Sequence, residues 1–148
     1  MRWGATESNY FKVTNGVKQG GVISPILFCV YMDGLLLELS KSKIGCHMGA
    51  VIACVFGYAD DLILLTPTVA ALKKLSEICE NYAKKYDVTF NGKKSQLIIF
   101  KCRKSRPPDP GITINNAPVP RVNEIIHLGH YLNEDIYRFD ASKCIGRF

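Results

Sequence analysis

The sequence predicts an α+β fold: an antiparallel sheet that includes a hairpin, with helices packed on one face. Three observations predict it. Two segments carry helical signals, Ser24-Pro25 ahead of a long apolar run and an apolar stripe from Val69 to Tyr82. Short apolar runs meet at tight-turn residues, as in VIACVFGYADDLILLTP. The elements follow the order helix, hairpin, helix, strands, without the alternation of a parallel α/β fold.

Tyr10 to Thr14 alternates polar and apolar residues, which predicts a short strand. Asn15 to Gly21 is a glycine-rich loop. Ser24 is a good N-cap and Pro25 suits the first helical position. The helix that follows, ILFCVYMDGLLLELSKS, is apolar on most sides, which predicts burial. Gly45 to Gly49 reads as a turn. Ala50 to Tyr58 reads as a buried strand and Leu62 to Leu65 as its partner, with Ala59-Asp60-Asp61 as the turn. Thr66 or Thr68 caps the second helix. Its face is Val69, Leu72, Leu75, Cys79 and Tyr82, at spacings of three and four.

Val88 to Phe90 and Gln96 to Phe100 read as short strands around the turn NGKKS. Lys101 to Gly111 is a basic, proline-rich loop. Ile112 to Ile114 and Ala117 to Val119 flank Asn115-Asn116 as a hairpin, and Glu124 to Leu132 holds the last strand. From Asn133 onward no pattern is evident.

The 148 residues suit one domain with a real core, and 47% hydrophobic content argues against disorder. A net charge of +6 and a pI near 9.0 favour an anionic partner, nucleic acid ahead of membrane. Six cysteines without a Cys-x-x-Cys pair, and three histidines, argue against zinc. The thiols read as reduced, in an intracellular protein. The N-terminus lacks a signal-peptide core, and the longest apolar stretch, interrupted by Asp33, is too short to span a bilayer.

Asp60 and Asp61 are the candidate chemistry. Neighbouring carboxylates repel, and a divalent cation can cancel that repulsion. Magnesium takes oxygen ligands, one or two carboxylates together with phosphate oxygens. Two such ions about 4 Å apart serve nucleotide addition. The plain alternative is a solvated turn, where aspartate is common.

The segment Asn15 to Phe28, NGVKQGGVISPILF, matches every fixed position of a pattern GVxQGxxxSPxLF. With YADD after it, it resembles the reverse transcriptases of non-LTR (LINE-type) retrotransposons. FNGKKS (Phe90 to Ser95) resembles a later palm motif of that family. IHLGHYL (Ile126 to Leu132) resembles a diverged primer-grip motif. The resemblance spans about residues 3 to 132 and implies the C-terminal part of a polymerase palm. Residues 133–148 would be a tail leading towards a thumb.

By this resemblance Asp60 would be the main metal ligand, with Asp61 supporting the metals and the primer end. The ions would be Mg2+ or Mn2+. Tyr58 and Ala59 would contact the primer terminus. Gln19, Gly20 and Gly21 would lie near template and incoming nucleotide, and Ser24 and Pro25 would start the helix beneath that loop. Lys94 would act near the triphosphate or stand as a solvated turn lysine. His127 and Gly129 would hold the primer strand, with simple packing as the alternative for His127. Lys101, Arg103, Lys104 and Arg106 would track a phosphate backbone or form a solvated loop. Asp33 reads as structural.

The implied partners are an RNA template, a DNA primer and deoxynucleoside triphosphates, in a nuclear or cytoplasmic retroelement ribonucleoprotein. The family also carries an aspartate on an earlier palm strand. The only acid ahead of Asn15 is Glu7, in a turn-like ATESN. The expectation is therefore a fragment that binds metal weakly, exposes apolar surface and does not polymerise alone. The other reading is a non-catalytic nucleic-acid-binding module derived from a reverse transcriptase.

Overall fold

A computed structural model of the chain describes residues 2–9, 12, 16, 20–100 and 108–135. It divides into two compact units, Met1–Leu65 and Thr66–Phe148.

The first unit begins with a minimal antiparallel ribbon, β1 (Arg2–Trp3) and β2 (Thr6–Glu7). Glu7 thus lies in a strand rather than in a turn, and it is exposed. The strand expected at Tyr10 to Thr14 lies outside the described residues but for Lys12, which is in no strand. Helix α1 (Ser24–Lys41) starts one residue earlier than expected. Ile23 is the N-cap and provides no side-chain cap, so Ser24 is already helical. The Ser24 amide instead turns back to the Gly21 carbonyl at 3.2 Å. Pro25 sits in the first turn, where its missing N–H costs nothing.

The expected burial of α1 is only half correct. Met32, Leu35 and Leu39 are buried on one side. Ile23, Ile26, Val30 and Leu37 are 50–69% exposed on the opposite side. At 100° per residue, Ile23, Ile26, Leu27, Val30 and Leu37 share one stripe, and a helix apolar on two faces needs two partners. Within this unit β5 packs against α1.

Gly45 to Gly49 is mostly strand: β3 (Cys46–Met48) pairs antiparallel with β4 (Val51–Ala53) through Gly49-Ala50. The single strand expected over Ala50 to Tyr58 is broken at Cys54, and its second half is β5 (Val55–Tyr58). Strand β5 pairs with β6 (Asp61–Leu64). The Leu65 amide donates to the Cys54 carbonyl at 2.8 Å and extends that pairing. Phe56 and Tyr58 are exposed, so β5 is not the buried strand its composition suggests.

In the second unit, α2 (Val69–Tyr86) is capped by Thr68, whose hydroxyl accepts from the Ala71 amide at 3.2 Å. It ends at Asp87 in a left-handed conformation, φ 55°. Leu75, Ser76, Cys79, Tyr82 and Ala83 form its buried face. Leu97, Ile112 and Val119 form a small core, packed by Leu72, Ile99 and Ile114. Neither Val88 to Phe90 nor Gln96 to Phe100 forms a strand. Only a parallel bridge from Leu97 to Arg121 remains, held by Leu97 N–H to Pro120 O and Val122 N–H to Leu97 O.

The hairpin at Asn115-Asn116 is as expected: β7 (Thr113–Ile114) pairs with β8 (Ala117–Pro118). Both turn residues have positive φ, 51° and 61°, which asparagine tolerates. The last strand is in fact a hairpin, β9 (Glu124–His127) and β10 (His130–Asn133), turning at Leu128-Gly129. The sheet expected as one layer is five two-stranded antiparallel ribbons among the described residues. The mixed α+β class holds, with two helices among the described residues.

Candidate functional site

The β5–β6 hairpin places the two carboxylates. Tyr58 pairs with Asp61, so the loop is two residues, Ala59 and Asp60, not three. Asp60 occupies the turn and Asp61 opens β6, and both side chains are exposed. Ala59 has φ 51° while Asp60 does not share the positive φ, the pattern of a type II′ turn. Gly4 and Gly49 take the same position in the β1–β2 and β3–β4 ribbons. Glycine adopts that conformation freely, whereas alanine pays about 1–2 kcal/mol. Strain held at a surface tip is characteristic of functional sites.

On the other side of the hairpin, a Cβ at Gly57 would meet the Leu36 methyls at 3.5 Å. This contact seats β5 on α1. Leu36 is twelve residues, about 18 Å of helix rise, from Ser24. The Gly20 to Pro25 segment is therefore tied to the far end of the helix from this contact. Gly20 has φ 77° and open space around it, and Gly21 is half-buried. Gln19 lies outside the described residues.

Asp60 and Asp61 supply hard oxygen donors of the kind Mg2+ and Mn2+ prefer. Among the described residues, no group of three or more His, Cys, Asp or Glu side chains converges. The two carboxylates suit part of a divalent-cation site.

Lys94 belongs to the second unit. Asn91 builds its turn: its side-chain oxygen accepts from the amides of Lys93 (3.1 Å) and Lys94 (3.2 Å), and its carbonyl accepts from Ser95. Lys94 is exposed. Sequence reasoning missed what anchors this turn. A Cβ on Gly92 would lie 2.9 Å from both the Ala117 Cβ and the Ile114 carbonyl. The Asn115 amide side chain donates to the Phe90 carbonyl at 2.9 Å. The Asn115 backbone N–H donates to the Glu80 carboxylate of α2 at 2.8 Å. The two Asn-led turns, NGKK and NN, were the only trace of this clamp in the sequence.

His127 closes β9 and is half-buried, and Gly129 holds φ 80° in the turn that follows. His130 stands directly opposite His127.

Over 68 residues, 46% of this chain and 6% of the relative, it is 44% identical to a retrovirus-related Pol polyprotein from the type-2 retrotransposable element R2DM of Drosophila melanogaster. It is 29% identical over 126 residues, 80% of the chain and 18% of the relative, to a Pol polyprotein from the type-1 element R2 of Popillia japonica. A probable RNA-directed DNA polymerase from transposon X-element of Drosophila melanogaster is 22% identical over 139 residues, 90% of the chain and 14% of the relative. The chain thus spans less than a fifth of the length of these curated relatives. No solved structure matches it significantly. The family model described as reverse transcriptase (RNA-dependent DNA polymerase) matches residues 2–132, and the chain belongs to that family, in its non-LTR retrotransposon branch.

Proposed function

We propose that these 148 residues are part of an RNA-directed DNA polymerase that extends a DNA primer on an RNA template. The observation that carries the reading is the exposed Asp60-Asp61 pair at the tip of a two-residue hairpin. Asp60 and Asp61 would hold divalent ions there. When bound, Mg2+ or Mn2+ supplies Lewis acidity for attack of a primer 3′-hydroxyl on a deoxynucleoside triphosphate. Tyr58, exposed and paired with Asp61, presents a ring beside the carboxylates for the primer terminus. The strained Ala59 turn fixes where the two carboxylates leave the backbone. Gln19, Gly20 and Gly21 offer a loop where backbone approaches template and nucleotide, with Ser24 and Pro25 starting the helix behind it. Lys94 supplies a positive charge for the triphosphate, and His127 with Gly129 supports the primer strand.

No third ligand joins Asp60 and Asp61 among the described residues, and two adjacent carboxylates alone hold cations weakly. This chain by itself therefore does not extend primers. A primer–RNA template assay with Mg2+ and all four deoxynucleotides tests this. Robust extension that Asp60→Ala abolishes would refute it. Metal binding is tested separately by Mn2+ broadening of the Asp60 and Asp61 amide NMR signals. Broadening that persists in Asp60→Asn combined with Asp61→Asn removes the metal assignment.

The net charge of +6 favours a second reading, a nucleic-acid-binding module without catalysis. On that reading Asp60→Asn and Asp61→Asn leave salt-dependent RNA binding unchanged or tighter. Weaker binding in those variants counts against it.

A further inference from the structure

His127 and His130 face each other across a two-residue turn. Their backbones form the closing pair of the β9–β10 hairpin, where opposed Cβ atoms lie about 4.5–5.5 Å apart on the same face. The register is held by three further pairs, Tyr131 with Ile126, Leu132 with Ile125 and Asn133 with Glu124. The turn is built to stay tight: Leu128 and Gly129 both have positive φ, 50° and 80°, the pattern of a type I′ turn. His130 is exposed and His127 half-buried, so solvent reaches the pair.

We propose that His127 and His130 form a chelating site for a divalent transition-metal ion of the Zn2+, Ni2+ or Cu2+ class. Imidazole nitrogens suit these ions and not Mg2+. Metal–nitrogen bonds of about 2.0–2.1 Å put two ligating nitrogens roughly 3 Å apart. Two imidazoles on one face of a closing pair reach that spacing by side-chain rotation alone. Ile125 and Leu132 lie on the same face of the ribbon, two residues further from the turn. Water completes the coordination, because no third protein ligand converges among the described residues. The site is consequently weaker than a four-ligand structural zinc site. A bound ion cross-links the two strands and stabilises the hairpin by mass action. The site shares His127 with the proposed primer contact, and it differs from Asp60-Asp61 in the ion it selects.

The chain contains three histidines, so His47, in the other unit, is an internal control. The test titrates Ni2+ into the 148-residue chain and follows the imidazole NMR signals. His127 and His130 broaden together, ahead of His47, below about 1 mM Ni2+. The same concentration of Mg2+ has no effect, and EDTA reverses the change. His130→Asn lowers the affinity by on the order of tenfold or more. The exchange of His130→Tyr with Tyr131→His keeps three histidines but turns one imidazole to the opposite face, and it loses binding to the same degree. Equal broadening at His47, no broadening by about 1 mM Ni2+, or undiminished binding in the exchanged variant overturns the proposal.

Discussion

Arg121 and Glu134 form a buried ion pair in the second unit, with Nη2 and Oε2 3.7 Å apart and side chains 6% and 8% exposed. Arg121 lies in the bridge to Leu97, and the Glu134 amide donates to the Asn123 carbonyl at 2.8 Å. The pair thus joins the Leu97 core to the end of the β9–β10 hairpin. Removing one charge strands the other away from water. Glu134→Gln should cost about 3–5 kcal/mol, whereas Arg121→Met with Glu134→Leu should be near neutral. Urea midpoints of the three proteins check the difference.

Asn115 couples the turn carrying Lys94 to α2 through two hydrogen bonds, at 2.8 Å and 2.9 Å. Asn115→Gly keeps the left-handed backbone and loses only the side-chain bond to Phe90, costing about 1 kcal/mol. Asn115→Val adds strain to that loss and should cost more. Gly92→Ala forces the turn off the β7–β8 hairpin, with an overpacking cost of about 1–3 kcal/mol. Thermal unfolding should rank Asn115→Gly as the mildest of the three.

Ala59→Gly should relieve the left-handed strain at the carboxylate hairpin. The expected gain is on the order of 1 kcal/mol, read as slower amide exchange in β5 and β6. Faster exchange would show that the turn is unstrained.

Burial, reinforced by the neighbouring Glu80 carboxylate, pushes the Cys79 thiol up to about 12. The folded protein therefore keeps the proton where the unfolded chain has begun to lose it. The stabilising contribution is whole below about pH 9 and is lost as pH rises towards 12. Mass spectrometry after alkylation at pH 8 should find the exposed Cys29 modified and Cys79 protected. Cys79→Ala should flatten the loss of stability above pH 9.

Val30, 69% exposed, and Ile26, 63% exposed, lie on the uncovered stripe of α1. Ile26→Lys with Val30→Glu should raise solubility while changing stability by no more than about 0.5 kcal/mol. Light scattering against concentration checks the first effect and thermal unfolding the second.

Local signals were legible where a residue's own chemistry decides the backbone. Thr68 caps α2 because its hydroxyl reaches a free amide. Asn115-Asn116 turns because asparagine tolerates positive φ. The motif around Gly20 and the pair Asp60-Asp61 were legible as a family pattern. Periodicity alone misled at Ala50 to Tyr58, where an unbroken apolar run hides the break at Cys54. It also misled at Glu124 to Leu132. There Leu128, a residue that disfavours positive φ, nonetheless turns the chain.

By itself the sequence determined the α+β class, the two helices, the family and the candidate carboxylates, because these depend on residue type and short spacing. Tertiary structure decided which face of α1 is covered, the two-residue loop with its strained Ala59, and the pairing of His127 with His130. It also decided the Glu80–Asn115–Phe90 clamp that seats the Lys94 turn. Each of these depends on strand register or on residues far apart in the chain meeting, and a one-residue slip would turn every strand side chain to the other face.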